Sequence, residues 1–139
     1  MADYVPGKYQ LTESHDYEGF MQGLSVGYLT RKVMGTHSYP VITIKKRGDL
    51  YTMKTESLVK TKELKFKLGE QFEETTSDGR KVLSTMRMTA PNTLLHQMLG
   101  TGKYKGKDSF CTREFMAEKM KCVCQVEEVV TTRMYERKN

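Results

Sequence analysis

The sequence predicts a mainly β protein, an antiparallel up-and-down barrel with a helical hairpin across one end. Three observations predict it. After Pro40 the apolar residues recur with a period of two, in short runs broken by tight turns. A single stretch of helical period, over about residues 16–35, interrupts an otherwise β pattern. Two short helices are too few to cover an open sheet of this extent, so closure, which alone removes edge strands, is favoured.

The elements follow in chain order. In "GKYQLTE", Tyr9 and Leu11 alternate with Lys8 and Gln10, which predicts a first strand. In "DYEGFMQGLSVGYLTRKVMG", Phe20, Met21 and Leu24 share a helical face, followed by Leu29 and Val33. Asp16 and Ser25 suit N-caps and Gly35 a terminator, giving two short helices joined as a hairpin. "VITIKKRGDLYTMKTES" predicts two strands joined at Arg47-Gly48-Asp49. In "ELKFKLG", Leu64, Phe66 and Leu68 are expected to face one way, Lys65 and Lys67 the other. "SDGR" (Ser77 to Arg80) and "TAPN" (Thr89 to Asn92) are turns. A Gly/Lys-rich loop, "GTGKYKGKDS", leads into "FCTREFM". The last strands are "MKCVCQV" and "VVTTRMYER", meeting at Glu127-Glu128.

A chain of 139 residues suits one domain, 1–139. With 37% hydrophobic and 29% charged residues the balance is that of a soluble globular protein, not a disordered one. No stretch approaches a transmembrane helix in length, and "MADYVPGKYQ" lacks the basic-then-apolar order of a secretory signal. A cytoplasmic protein is expected. The three cysteines, Cys111, Cys122 and Cys124, have no framework spacing and read as free thiols in a reducing compartment. The net charge of +6 suits a solvated surface and does not bear on the fold.

Beyond these patterns, the chain resembles the intracellular fatty-acid-binding and retinoid-binding proteins along essentially its whole length. The resemblance begins with Gly7-x-Tyr9-x-Leu11 and Tyr17-Glu18-x-Phe20-Met21-x-x-Leu24. It departs at Asp16, where that signature has Asn, His or Gly, and Asp caps a helix as well as Asn. It continues through "VGYLTRKV", "GDLYTMKTES", "FKLGEQFEETTSDGRKV", "TREF" and "VVTTRMYER", in family order. The resemblance implies a flattened, lipocalin-like barrel of ten antiparallel strands around a water-filled cavity. It also implies a monomer, and a hairpin that lids a portal for lipid; no cofactor or metal is expected.

It further implies a carboxylate site of two arginines and a tyrosine, matched here by Arg113 in "CTREF" and by Arg133 and Tyr135 in Arg-x-Tyr. On a strand, Arg133 and Tyr135 share a face. Guanidinium groups offer forked donors to a carboxylate, and a phenol adds a donor without charge. A lone Arg-x-Tyr at a basic C-terminus is ordinarily a solvated strand face; the matches along the rest of the chain are what place it inside. By family position, cavity or portal roles extend to Tyr17, Phe20, Met21, Val26, Leu29 and Thr30 on the lid. The early-strand counterparts are Pro40, Ile42, Met53, Thr55 and Ser57, with Val59, Lys60, Ser77 and Asp78 near the portal. His96, Cys122 and Cys124 complete the set, and packing or surface is the ordinary role for each. Ten methionines suit an adaptable apolar lining as well as an ordinary core.

The function expected is therefore non-enzymatic carriage of a long-chain fatty acid, with retinoic acid as the alternative ligand of the same fold. Arg31, Lys32 and Lys60 suit transient contact with anionic membranes. Cys122-x-Cys124 lacks the four-ligand spacing of structural zinc, and His15, His37 and His96 form no metal pattern. No Gly-rich phosphate loop or nucleophile elbow is present. A basic nucleic-acid-binding β module is the remote rival. Its expected clustered aromatics are missing, since only "KYKGKD" interleaves a tyrosine with lysines, and no nucleic-acid partner is expected.

Overall fold

A computed structural model describes residues 3–15, 19, 20, 22, 40–57, 61–76, 79–100 and 107–138. Ten strands run through them: β1 (Gly7–His15), β2 (Val41–Arg47), β3 (Leu50–Glu56), β4 (Thr61–Lys67), β5 (Phe72–Thr75), β6 (Lys81–Ala90), β7 (Thr93–Leu99), β8 (Ser109–Phe115), β9 (Lys119–Val126) and β10 (Val129–Lys138). All belong to one antiparallel sheet in the order β4-β3-β2-β1-β10-β9-β8-β7-β6-β5. This is an up-and-down meander in which β1 returns to pair with β10, from Lys8 opposite Lys138 to His15 opposite Thr132. The sheet curls into a nearly closed barrel whose open junction lies between β4 and β5.

Alternation along each strand sets which residues face inward. On β3, Tyr51 and Met53 are buried while Leu50 and Glu56 are exposed. On β4, Phe66 is buried and Lys65 and Lys67 are exposed, as the pattern predicts. Leu68 departs from that prediction: β4 ends at Lys67, so Leu68 lies beyond the pleat and is exposed. The turns use left-handed backbone where their chemistry allows, at Gly48 (φ 63°) between β2 and β3 and at Asn92 (φ 60°) between β6 and β7. Of the hairpin expected over 16–35, Gly19, Phe20 and Gln22 are described, in helical conformation, and Phe20 is buried.

One end of the barrel is tied by Arg137, the register partner of Tyr9. Its Nη2 donates to the Tyr4 carbonyl and the Tyr9 hydroxyl, each at 2.7 Å, and its Nη1 donates to the Pro6 carbonyl at 3.0 Å. The guanidinium also lies 4.7 Å from the centroid of the Tyr9 ring. A Cβ on Gly7 would stand 2.1 Å from Arg137 Nη1, and Gly7 has φ +156°. The Gly7-x-Tyr9 spacing thus has a local cause: the guanidinium occupies the space a side chain at residue 7 would need.

Candidate functional site

The register of β8, β9 and β10 assembles a row of three side chains. Arg113 lies opposite Cys122, and Cys122 lies opposite Arg133. Directly opposed residues project to the same face of a sheet, and Cys122 is buried on the inward one. Two strand spacings, about 9–10 Å, separate the backbones of the two arginines, with both side chains half-buried. The neighbouring row toward the Arg137 end is Phe115, Met120 and Tyr135, all buried. Arg113 Nε is buried and has no hydrogen-bond partner among the described residues. The arrangement presents cationic donors inside the barrel, which suits an anion with its charge held out of water.

A second polar group begins at Arg113 and crosses the interior to β4. Arg113 Nη1 lies 3.5 Å from His96 Nδ1. His96 Nε2 lies 2.8 Å from Glu74 Oε1, which also accepts from Ser84 Oγ at 2.7 Å. The other Glu74 oxygen meets Lys62 Nζ at 2.5 Å. Burial pushes the Glu74 carboxyl up, but the His96 hydrogen bond and the Lys62 ammonium outweigh it and hold the group well below the usual carboxylate range. Burial pushes His96 down, assisted by Arg113 and Lys62 and opposed by Glu74. At neutral pH the consistent state is an ionised Glu74 beside a neutral His96. Its Nε2–H then donates to the carboxylate, and its bare Nδ1 accepts from Arg113. His96 is among the positions that the sequence suggests for the cavity; Lys62, Glu74 and Ser84 are not. The parity of Leu64 and Phe66 already points Lys62 inward, but a lysine there reads as surface.

Other predicted positions fall as follows. Ile42, Met53 and Pro40 are buried, whereas Thr55 and Ser57 are half-buried. Met86, Met98 and Met120 join Met53 among the buried side chains. Tyr17, Met21, Val26, Leu29, Thr30, Val59, Lys60, Ser77 and Asp78 lie outside the described residues, as do Arg31 and Lys32. The cysteines require a correction. Cys111 and Cys124 are disulfide-bonded, and Cys122 alone keeps its thiol. The pairing follows from register: Cys111 on β8 stands directly opposite Cys124 on β9, a juxtaposition that sequence spacing does not reveal.

Comparison with known proteins agrees with this architecture. Residues 6–138 match the lipocalin / cytosolic fatty-acid binding protein family. The chain is 37% identical over 137 residues to the adipocyte fatty acid-binding protein of Pygoscelis papua, covering 99% of each. It is 40% identical over 133 residues to fatty acid-binding protein 5 of Rattus norvegicus, covering 96% of this chain and 94% of the other. Among solved structures, the Schistosoma mansoni fatty acid binding protein in complex with arachidonic acid superposes with a TM-score of 0.90 at 32% identity. That match covers 99% of this chain and 100% of the other. A ten-stranded barrel closed by β1 on β10, matched along 6–138, assigns the chain to the lipocalin / cytosolic fatty-acid binding protein family.

Proposed function

We propose that this chain is a non-enzymatic carrier that holds a long-chain fatty acid inside its barrel, with the carboxylate at Arg113, Arg133 and Tyr135. The observation that carries the reading is the inward row of Arg113 and Arg133 with Tyr135 in the adjacent row. Each charge-assisted hydrogen bond to the carboxylate contributes about 1.5–3 kcal/mol net. Each buried methylene contributes about 0.8 kcal/mol before entropic losses. The acyl chain therefore supplies most of the affinity, and the arginines set its orientation. Relatives named as fatty acid-binding proteins, one of them solved with arachidonic acid, support this ligand class.

In this reading the chain works as a single-domain cytoplasmic monomer that releases its cargo at anionic membranes, toward which its net charge of +6 draws it. The deciding experiment is displacement of a fluorescent fatty-acid analogue from delipidated protein by oleate and, separately, by retinoate. Stoichiometric displacement by oleate at micromolar or lower concentration is expected. Displacement by retinoate alone would assign the barrel to retinoids, and failure of both would remove hydrophobic carboxylates as its ligands.

A further inference from the structure

Cys111, Cys122 and Cys124 are all buried, and their sulfur atoms lie within 4.8 Å of one another. Cys122 Sγ is 3.5 Å from Cys124 Sγ. The cluster sits on the inner wall between two cations, because Cys122 is the register partner of both Arg113 and Arg133. Two further register neighbours, His96 and Thr131, have polar partners of their own. His96, opposite Cys111, directs one ring nitrogen to Glu74 and the other to Arg113. Thr131, opposite Cys124, donates to the His15 carbonyl at 2.6 Å.

We propose that, once its disulfide is reduced, this three-sulfur cluster is a binding site for a soft monovalent cation, Cu(I). Reduction by a small-molecule thiol consumes the Cys111–Cys124 bond and two equivalents of that thiol. It yields two cysteine thiols and one small-molecule disulfide. Binding then replaces three S–H bonds by three Cu–S bonds and releases three protons. The resulting centre carries two net negative charges, three thiolates less one cation. The two guanidinium groups flanking Cys122 match that charge inside a buried wall, where an uncompensated anion would be costly. Thiolate ligands select soft metals. Structural zinc sites complete a tetrahedron of four ligands, whereas the described residues here supply three sulfurs. The disulfide form has two of those sulfurs bonded to each other and is the closed state of the site.

The test uses the full chain under anaerobic conditions, with Cu(I) held by the chromophoric chelator bicinchoninate. Thiol titration of the unfolded protein first establishes the starting states, three thiols when reduced and one when oxidised. Reduced protein should withdraw one equivalent of copper from the chelator, and X-ray absorption should show three sulfur neighbours. The oxidised protein, which needs no substitution and so no refolding control, should leave the copper behind. Cys122→Ser should weaken uptake on the order of a thousandfold, if each of the three ligands carries a comparable share of the binding free energy. Circular dichroism confirms that the variant is folded. Copper left wholly with the chelator by reduced protein overturns the proposal. So does equal uptake by the oxidised form or by Cys122→Ser, and so does uptake of zinc in preference to copper.

Discussion

Lys62 of β4 and Glu74 of β5 meet at 2.5 Å across the junction of the sheet that no backbone ladder closes among the described residues. The carboxylate is buried and the ammonium nearly so, with side-chain exposures of 3% and 17%. Two stacked rings, Phe66 of β4 and Phe72 of β5 with centroids 6.3 Å apart, span the same junction. The barrel is thus completed by side chains where its backbone leaves a gap.

That pair makes the first prediction. Removing one partner of a buried ion pair leaves a charge uncompensated and costs about 3–5 kcal/mol. Lys62→Met and Glu74→Gln should each lower the urea midpoint, and the double variant should lose less than the sum of the two. Strictly additive losses would mean that the two residues do not act as a pair.

Acid should lower the stability of the protein over two ranges of pH. His96 binds a proton less readily folded than unfolded, so stability falls as pH drops below its ordinary pKa of 6.5. Glu74 is likewise depressed, so its contribution is intact above 4.5 and is lost as pH falls further toward its folded pKa. Over both ranges the unfolded chain binds more protons, and each group contributes a slope of at most about 1.4 kcal/mol per pH unit. Denaturation midpoints measured from pH 8 to 3 should show both limbs, and His96→Gln should remove the upper one. A wild-type profile flat between pH 7 and 5 would contradict this account of His96.

For the carboxylate reading, Arg133→Gln should weaken oleate by roughly ten- to a hundredfold while changing the matched alcohol far less. Tyr135→Phe removes a neutral donor and should cost only about three- to tenfold. Calorimetric titration of both ligands provides the comparison. Equal losses for acid and alcohol would rule out a charge-specific role for Arg133.

Gly7→Ala should destabilise the fold by about 1–3 kcal/mol, combining overpacking against Arg137 with an unfavourable φ. A lower urea midpoint at unchanged slope is the expected signature. An unchanged midpoint would show that the guanidinium moves aside without cost.

Much of the barrel was legible because period-two alternation is a direct projection of the pleat. Leu64 and Phe66 announce the inner face of β4, and Arg133 and Tyr135 share a face by the same parity. What stayed hidden were residues for which parity and polarity disagree. Lys62 and Glu74 sit at inward positions yet are charged, and only their meeting across the junction resolves the conflict. Leu68 shows the converse, an apolar residue that keeps the alternation after its strand has ended. The Cys111–Cys124 bond was hidden for another reason. It depends on how β8 registers against β9, a relation between strands that no local pattern encodes.

The open junction between β4 and β5 also bears on how these molecules behave toward one another. A free strand edge is a template on which another chain can add its own strand. Here the sheet's two edges shield each other, and Glu63, Lys65 and Lys67 keep the outer face of β4 charged. The shield is fastened by one carboxylate and two aromatic rings rather than by backbone. Protonating or replacing Glu74 therefore does more than lower stability: it removes the charged tie between the two edges and leaves the Phe66–Phe72 stack to hold them together.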